Sequence, residues 1–115
     1  MSEPDPSLPL RPPVFHILLA LSTEPRHGLG IADEAESASQ GVVRLGPGTL
    51  YRSLDEMAGD GLVEPVPPPD PEADPRRKYY GITGAGRRLL QAEVSRLERL
   101  TRHARARLAG DEVAG

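Results

Sequence analysis

Apolar residues recur with helical spacing in three short stretches and one long one, with turn signals between them. Val14, Ile17, Leu18 and Leu21 stand at i, i+3, i+4 and i+7, which predicts a first helix over about 13–22. Pro13 suits its first turn, where an amide would have no partner inside the helix. After a turn at Glu24-Pro25-Arg26-His27-Gly28, a second helix is predicted with Leu29, Ala32, Ala35 and Ala38 inward and Asp33, Glu34 and Glu36 outward. Ser39-Gln40-Gly41 ends it. A third helix is predicted over 47–59, with Leu50, Leu54 and Met57 inward. Gly59-Asp60-Gly61 stops it, glycine best accepting the left-handed conformation found at helix ends. Thr83 can cap a fourth helix by accepting a bond from a free first-turn amide. Along that helix Leu90, Val94, Leu97, Thr101, Ala104 and Leu108 are spaced 4, 3, 4, 3 and 4 residues apart, a heptad-like seam widened by Leu89 and Leu100.

The remaining segments read as short strands and loops. Val42-Val43-Arg44-Leu45 has β-branched content but the length of an edge ribbon only. Leu62-Val63-Glu64 and Lys78-Tyr79-Tyr80-Gly81-Ile82 predict a hairpin, with Tyr79 and Tyr80 on opposite faces, one toward the core and one outward. Between them, 65–75 holds six prolines and three acidic residues, so it is a stiff loop at the hairpin tip. Residues 1–13 contain five prolines and read as an extended or disordered arm. The predicted fold is mainly α with a small β-hairpin wing: a winged helix-turn-helix over 13–82 and a long C-terminal dimerisation helix over 83–109. A flexible N-terminal arm over 1–12 and a flexible tail over 110–115 flank them.

Composition narrows the class. At 115 residues the chain is one domain, and 37% hydrophobic residues with four aromatic rings give a thin core for which a partner chain is expected. The absence of cysteine removes disulfides, thiolate metal sites and cysteine nucleophiles. Met1 to Leu10 is acidic and proline-broken, unlike a signal peptide, and the apolar run at 14–21 is too short to span a bilayer, so a cytoplasmic setting is expected. Net charge is −3, but its distribution is uneven: residues 1–75 carry 13 acidic and 4 basic side chains, residues 76–115 carry 4 acidic and 10 basic. Phosphate attraction acts over roughly a Debye length, about 8 Å, so a local basic face outweighs the total.

Two constellations carry candidate chemistry. The face of the third helix opposite its apolar stripe presents Thr49, Arg52, Ser53 and Glu56, with Thr49 and Arg52 at the N-terminal end, where a recognition helix meets base edges. Gly46 and Gly48 bring backbone amides close to the surface there, and free amides at a helix start favour phosphate. Arg76-Arg77-Lys78 then places three cations in a row on a predicted strand, directly after the proline-rich wing tip, suited to phosphates or the minor groove. His27 ahead of Gly28 either touches a phosphate or stabilises the turn. Together these point to a double-stranded DNA partner. The alternative is a winged-helix module that contacts protein without binding DNA, favoured by the acidic second helix and Glu56.

Catalysis finds no foothold. Gly28-Leu29-Gly30-Ile31-Ala32-Asp33 imitates a dinucleotide loop but follows a turn, not a buried strand. Gly46-Pro47-Gly48-Thr49 lacks the lysine of a phosphate-binding loop. His16, His27 and His103 have no metal-ligand spacing, and Ser, His and Asp are too scattered for a triad. No enzyme activity, cofactor or metal is expected.

Five short motifs occur in order: His27-Gly28; Leu45-Gly46-Pro47-Gly48-Thr49-Leu50-Tyr51; Asp60-Gly61-Leu62-Val63; Arg76-Arg77-Lys78-Tyr79-Tyr80; and Thr83-Gly84-Ala85-Gly86. In this the chain resembles the PadR-like bacterial transcriptional regulators over about 14–108, in particular the compact branch with a single C-terminal helix. The resemblance implies a homodimeric winged-helix repressor on a pseudo-palindromic operator, its last helix crossing the partner and packing on the partner's first helix. It places Gly48, Thr49 and Tyr51 at DNA on the third helix and Arg76, Arg77 and Lys78 in the wing. It also sets Phe15, Leu18, Leu90, Val94, Leu97, Thr101, Ala104 and Leu108 at the dimer interface. Two departures stand out. Leu29 replaces the tyrosine usual after His-Gly, leaving Arg26 as the nearest substitute for a phenol on phosphate. There is no tryptophan, so a small aromatic effector at the dimer interface would rest on Phe15 and His16.

Overall fold

The structure, a computed structural model, describes residues 7–114, and side chains as far as residue 110. Its elements are α1 (Pro12–Leu21), β1 (Arg26–His27), α2 (Gly28–Ala38), α3 (Pro47–Gly59), β2 (Val63–Val66), β3 (Tyr79–Ile82) and α4 (Gly84–Ala114). Half of the expected N-terminal arm, 1–6, lies outside the described residues. The other half is tied down near its end: the Leu10 amide donates to Glu93 Oε2 at 2.7 Å, and Leu10 packs against the core.

The core forms where the helical stripes meet. Ile17, Leu18 and Leu21 of α1, Ile31 and Ala35 of α2, and Leu50, Leu54 and Met57 of α3 are buried together with Val63, Tyr80 and Leu90. Each fully buried large side chain contributes about 1.5–3 kcal/mol relative to exposure. α1 and α3 present the predicted faces. The phase of α2 differs: Gly28, Ile31 and Ala35 point inward, while Leu29 is 57% exposed and Ala38 is exposed. Leu29 is one residue, hence about 100°, around the helix from Gly28, so counting from Leu29 turned the stripe away from the core.

The sheet also departs from the prediction. It has three strands in the order β1-β3-β2, both pairings antiparallel. The added strand is Arg26–His27, in the expected turn, whereas Val42–Leu45 forms no strand. That segment is a loop turned through Gln40 and Gly41, both at positive φ, and tied by the Val43 amide to Ser39 Oγ at 2.8 Å. Central placement of β3 pairs both of its edges and gives each of its side chains cross-strand neighbours on two sides. Tyr79 lies between cross-strand neighbours His27 and Val66, Tyr80 between Arg26 and Pro65, and both tyrosines are buried. Tyr80 joins the core cluster, whereas Tyr79 lies outside it and is nonetheless buried, meeting the His27 ring edge-on.

α4 is anchored at its start. Thr83 Oγ1 accepts from the Gly86 amide at 3.0 Å and donates to the Gly61 carbonyl at 2.6 Å, the cap its position predicts. A Cβ on Gly86 would run into the Leu62 carbonyl oxygen, so glycine lets the helix lie directly on the junction of α3 and β2. The helix continues past the expected boundary at 109 to Ala114. Gly110, a poor helix former, weakens the helix without ending it. Leu18 and Leu90 belong to the protomer's own core and are closed to a partner, correcting their assignment to a dimer seam. Among the described residues, no helix is long and apolar enough to cross a membrane, and no group of metal-ligating side chains is present.

Candidate nucleic-acid interface

α3 opens without a side-chain cap. Gly46 is its extended N-cap residue and Pro47 its first helical residue, so the Gly48 and Thr49 amides lack intrahelical partners. A Cβ built on Gly46 or Gly48 would meet nothing within 4 Å, so both glycines border open space. Thr49, Tyr51 and Arg52 are exposed on the same end of the helix. Tyr51 is 49% exposed, and its hydroxyl end lies against Gly28 so closely that any Cβ there would overlap it. The contact joins the tip of α3 to the start of α2.

His27 caps that start. Its Nδ1 accepts from the Gly30 amide at 3.1 Å, which puts the proton of the neutral ring on Nε2. Arg77 Nη1 sits 3.0 and 3.1 Å from Nε2 and Nδ1, and Tyr79 meets the ring edge-on with centroids 5.6 Å apart. Burial, then the Arg77 charge, lowers the His27 pKa against the opposing pull of Asp33 and Asp74. The lowered pKa favours the neutral imidazole, whose Nδ1 caps α2 while the Arg77 guanidinium lies beside the ring. Of the two roles open to His27, the structure displays the cap.

Arg76, Arg77 and Lys78 lie in a turn before β3, not on the strand itself. Pro75 and the Asp74 side chain shape that turn: Asp74 Oδ1 accepts from the Arg76 amide at 2.9 Å, as Asp70 Oδ1 does from Glu72 at 2.8 Å. Lys78 Nζ sits 5.4 Å from the centroid of the Tyr80 ring. With His27, Gly28, Leu29 and Tyr51, the three cations line an open cleft of about 380 Å³. Thr49 and Arg52 stand outside its lining, further along the exposed tip. The cleft thus brings together His27, Tyr51 and the three cations, joined by Leu29, but not Thr49, Arg52 or Gly48.

Two neighbouring arginines are engaged within the fold, among them Arg26, the expected substitute for the missing phenol. Arg26 Nε donates to the Ala20 carbonyl at 2.8 Å, capping the C-terminal end of α1, and its Nη2 lies 3.3 Å from Glu24 and 3.9 Å from Glu34. Arg44 Nε pairs with Glu36 at 3.3 Å. Much of the acidic surface of α2 is thereby offset. A Glu-to-Arg relation across a turn leaves no periodic signal in the sequence.

Away from the cleft lining, Phe15 of α1 and Val94, Leu97 and Thr101 of α4 line a shallow, largely apolar depression of about 450 Å³. Four residues of the expected seam converge there. Ala104 and Leu108 are exposed further along α4.

The fold is similar to a PadR-like transcriptional regulator from Bacillus cereus, with a TM-score of 0.70 at 22% identity over 83% of this chain and 89% of that one. A PadR family transcription regulator from Clostridium difficile gives 0.69 at 22% identity, over 84% and 97%. A PadR-like transcription factor from Bacteroides fragilis gives 0.64 at 26% identity, over 81% and 86%. The chain is also 35% identical, over 98 residues, to an uncharacterised 37.1 kDa protein in transposon TN4556 of Streptomyces fradiae, covering 85% of this chain and 26% of that protein. It thus spans about a quarter of the curated relative it matches. The model of the transcriptional regulator PadR-like family matches residues 17–92, most of the body that holds the cleft. The chain belongs to the PadR-like family of transcriptional regulators, not to a family of enzymes.

Proposed function

We propose that the chain is a homodimeric, sequence-specific repressor that binds duplex DNA at a pseudo-palindromic operator. One observation carries the proposal: the start of α2, Tyr51 of α3 and the Arg76-Arg77-Lys78 turn open onto one cleft. The tip of α3 would enter the major groove with Thr49 and Arg52 leading, and an Arg52–guanine pair would supply about 1–3 kcal/mol of discrimination. Gly48, Tyr51 and the three wing cations would hold flanking phosphates, which position the protein without reading sequence. Ion pairs of Glu34 and Glu36 to arginine reduce the repulsion that favoured a protein-binding role. The apolar depression at Phe15 supports a planar aromatic effector there; a compound that raises the melting temperature and alters DNA affinity would reveal it.

Footprinting and salt-titrated gel shifts on DNA upstream of the chain's own reading frame test the assignment. Arg52→Ala is expected to relax base preference at one position of each half-site. Arg77→Ala should weaken all sequences alike and lower the salt slope by about one. Equal, non-selective losses from both would sink the division of labour. Absence of binding at low salt would leave the protein-binding module as the better reading.

A further inference from the structure

The wing arginines needed by the proposed interface already hold a carboxylate. Asp74 Oδ1 lies 2.9 Å from the Arg76 amide and 3.2 Å from Arg76 Nε, and Oδ2 lies 3.4 Å from Arg76 Nη2. Arg77 Nε is 3.7 Å from the same Oδ2. Two oxygens shared between two guanidinium groups are the arrangement a DNA phosphate would adopt there. The Arg76 side-chain hydrogen bond, then the Arg76 amide, holds the Asp74 carboxyl below its usual range, so it is ionised at neutral pH. Among the described residues, no other carboxylate lies within ion-pair distance of either arginine.

From this pairing we infer that Asp74 is an internal competitor for DNA phosphate, which presents Arg76 and Arg77 in place and limits the grip of the wing. The inference rests on the proposed DNA-binding function. Exposed ion pairs are weak, so a phosphate can displace the carboxylate. The displaced anion nevertheless stays two residues from a polymer bearing one charge per about 1.7 Å of axis. The wing therefore delivers less affinity, and a shallower salt dependence, than three free cations would. Because base contacts by α3 are untouched, sequence-independent attachment is what Asp74 restrains.

Asp74→Asn isolates the effect. Asparagine keeps a side-chain oxygen for the Arg76 amide, preserving the turn, while the charge is lost. Glu72→Gln is the control, an exposed residue in the same loop that loses the same charge without a guanidinium partner. The full chain and both variants are titrated with labelled upstream duplex and a scrambled duplex across a range of salt. Asp74→Asn should bind both about three- to tenfold tighter at low salt, with a slope steeper by about one, while Glu72→Gln changes affinity less than about twofold. Unfolding cannot mimic a gain in affinity. If Asp74→Asn binds no tighter than Glu72→Gln, the inference is overturned although the DNA reading stands. Failure of all three proteins to bind overturns that reading, and the inference with it.

Discussion

A single methyl group at position 28 would separate two elements of the proposed interface. A Cβ on Gly28 would meet the Tyr51 hydroxyl and lie 2.9 Å from Cζ and 3.1 Å from Cε1. Tyr51 is half exposed, so its ring can swing outward instead of disrupting the fold. Alanine also gains about 1 kcal/mol of helix propensity over glycine, offsetting strain at the helix start. Gly28→Ala is therefore expected to shift the melting temperature by only a few degrees while lowering DNA affinity by about tenfold, one hydrogen bond's worth. In a Tyr51→Ala background the same change should have no effect on affinity; additive losses would show that Gly28 acts independently of the ring. Such contacts define the limit of sequence reading at this scale. Thr49, Arg52, Arg76, Arg77 and Lys78 could be chosen because cations and hydroxyls off an apolar stripe are exposed. The touch of Gly28 and Tyr51 depends on the angle between two helices, which no local pattern encodes. Leu29, which a stripe counted one residue out of phase turns inward, lines the cleft instead.

Among the elements, α4 and the segment before α1 are joined by a carboxylate that is only 2% exposed. Glu93 receives the Leu10 amide at 2.7 Å and an ion pair from Arg96. The Arg96 hydrogen bond chiefly, aided by the Leu10 amide, lowers the Glu93 pKa against the cost of burial. A carboxylate depressed in the folded state stabilises it above its unfolded pKa, and that contribution is lost as pH falls through the lower folded value. Glu93→Gln should thus reduce stability by about 1–3 kcal/mol at pH 7, since hydrogen bonds to a charged group are lost. Its melting temperature should fall less than that of the native protein as pH drops from about 5 to 3, and parallel acid profiles would refute the role. The sequence offered no hint of this clasp, because a Glu three residues before an Arg on a helix normally marks a solvated pair. Elements with strong internal periodicity were legible: α1, α3 and the Thr83 cap of α4 stand where their residues put them. β1 was not, since two residues become a strand only by pairing with β3. Val42–Leu45 had strand-like residues and no partner, and Val42 is 84% exposed.

For the whole molecule, the outer half of α4 sets the problem. Every residue from Leu97 to Gly110 is exposed, and the molecule extends 60 Å along its longest axis. An isolated helical segment of about 12–15 residues is marginal in water. Here Arg99, Arg102, Arg105 and Arg107 add mutual repulsion, with Glu98 as the sole acid over 97–110. Val94 and Leu97, 37% and 36% exposed, continue the apolar surface from Phe15, while Leu100 and Leu108 extend it outward. In the proposed dimer a second copy would cover this face. Leu97→Glu puts a charge into the centre of that surface without touching the core or the cleft. The variant is expected to sediment as a monomer at concentrations where the native chain is a dimer, with some loss of helical circular dichroism. Two linked half-site contacts bind about 10²–10⁴-fold more tightly than one, so operator affinity should fall by that order. Arg77→Ala, by contrast, should weaken binding and leave the assembly intact. A Leu97→Glu protein that still sediments as a dimer would move the interface off this face, and a monomer with native operator affinity would remove dimerisation from recognition.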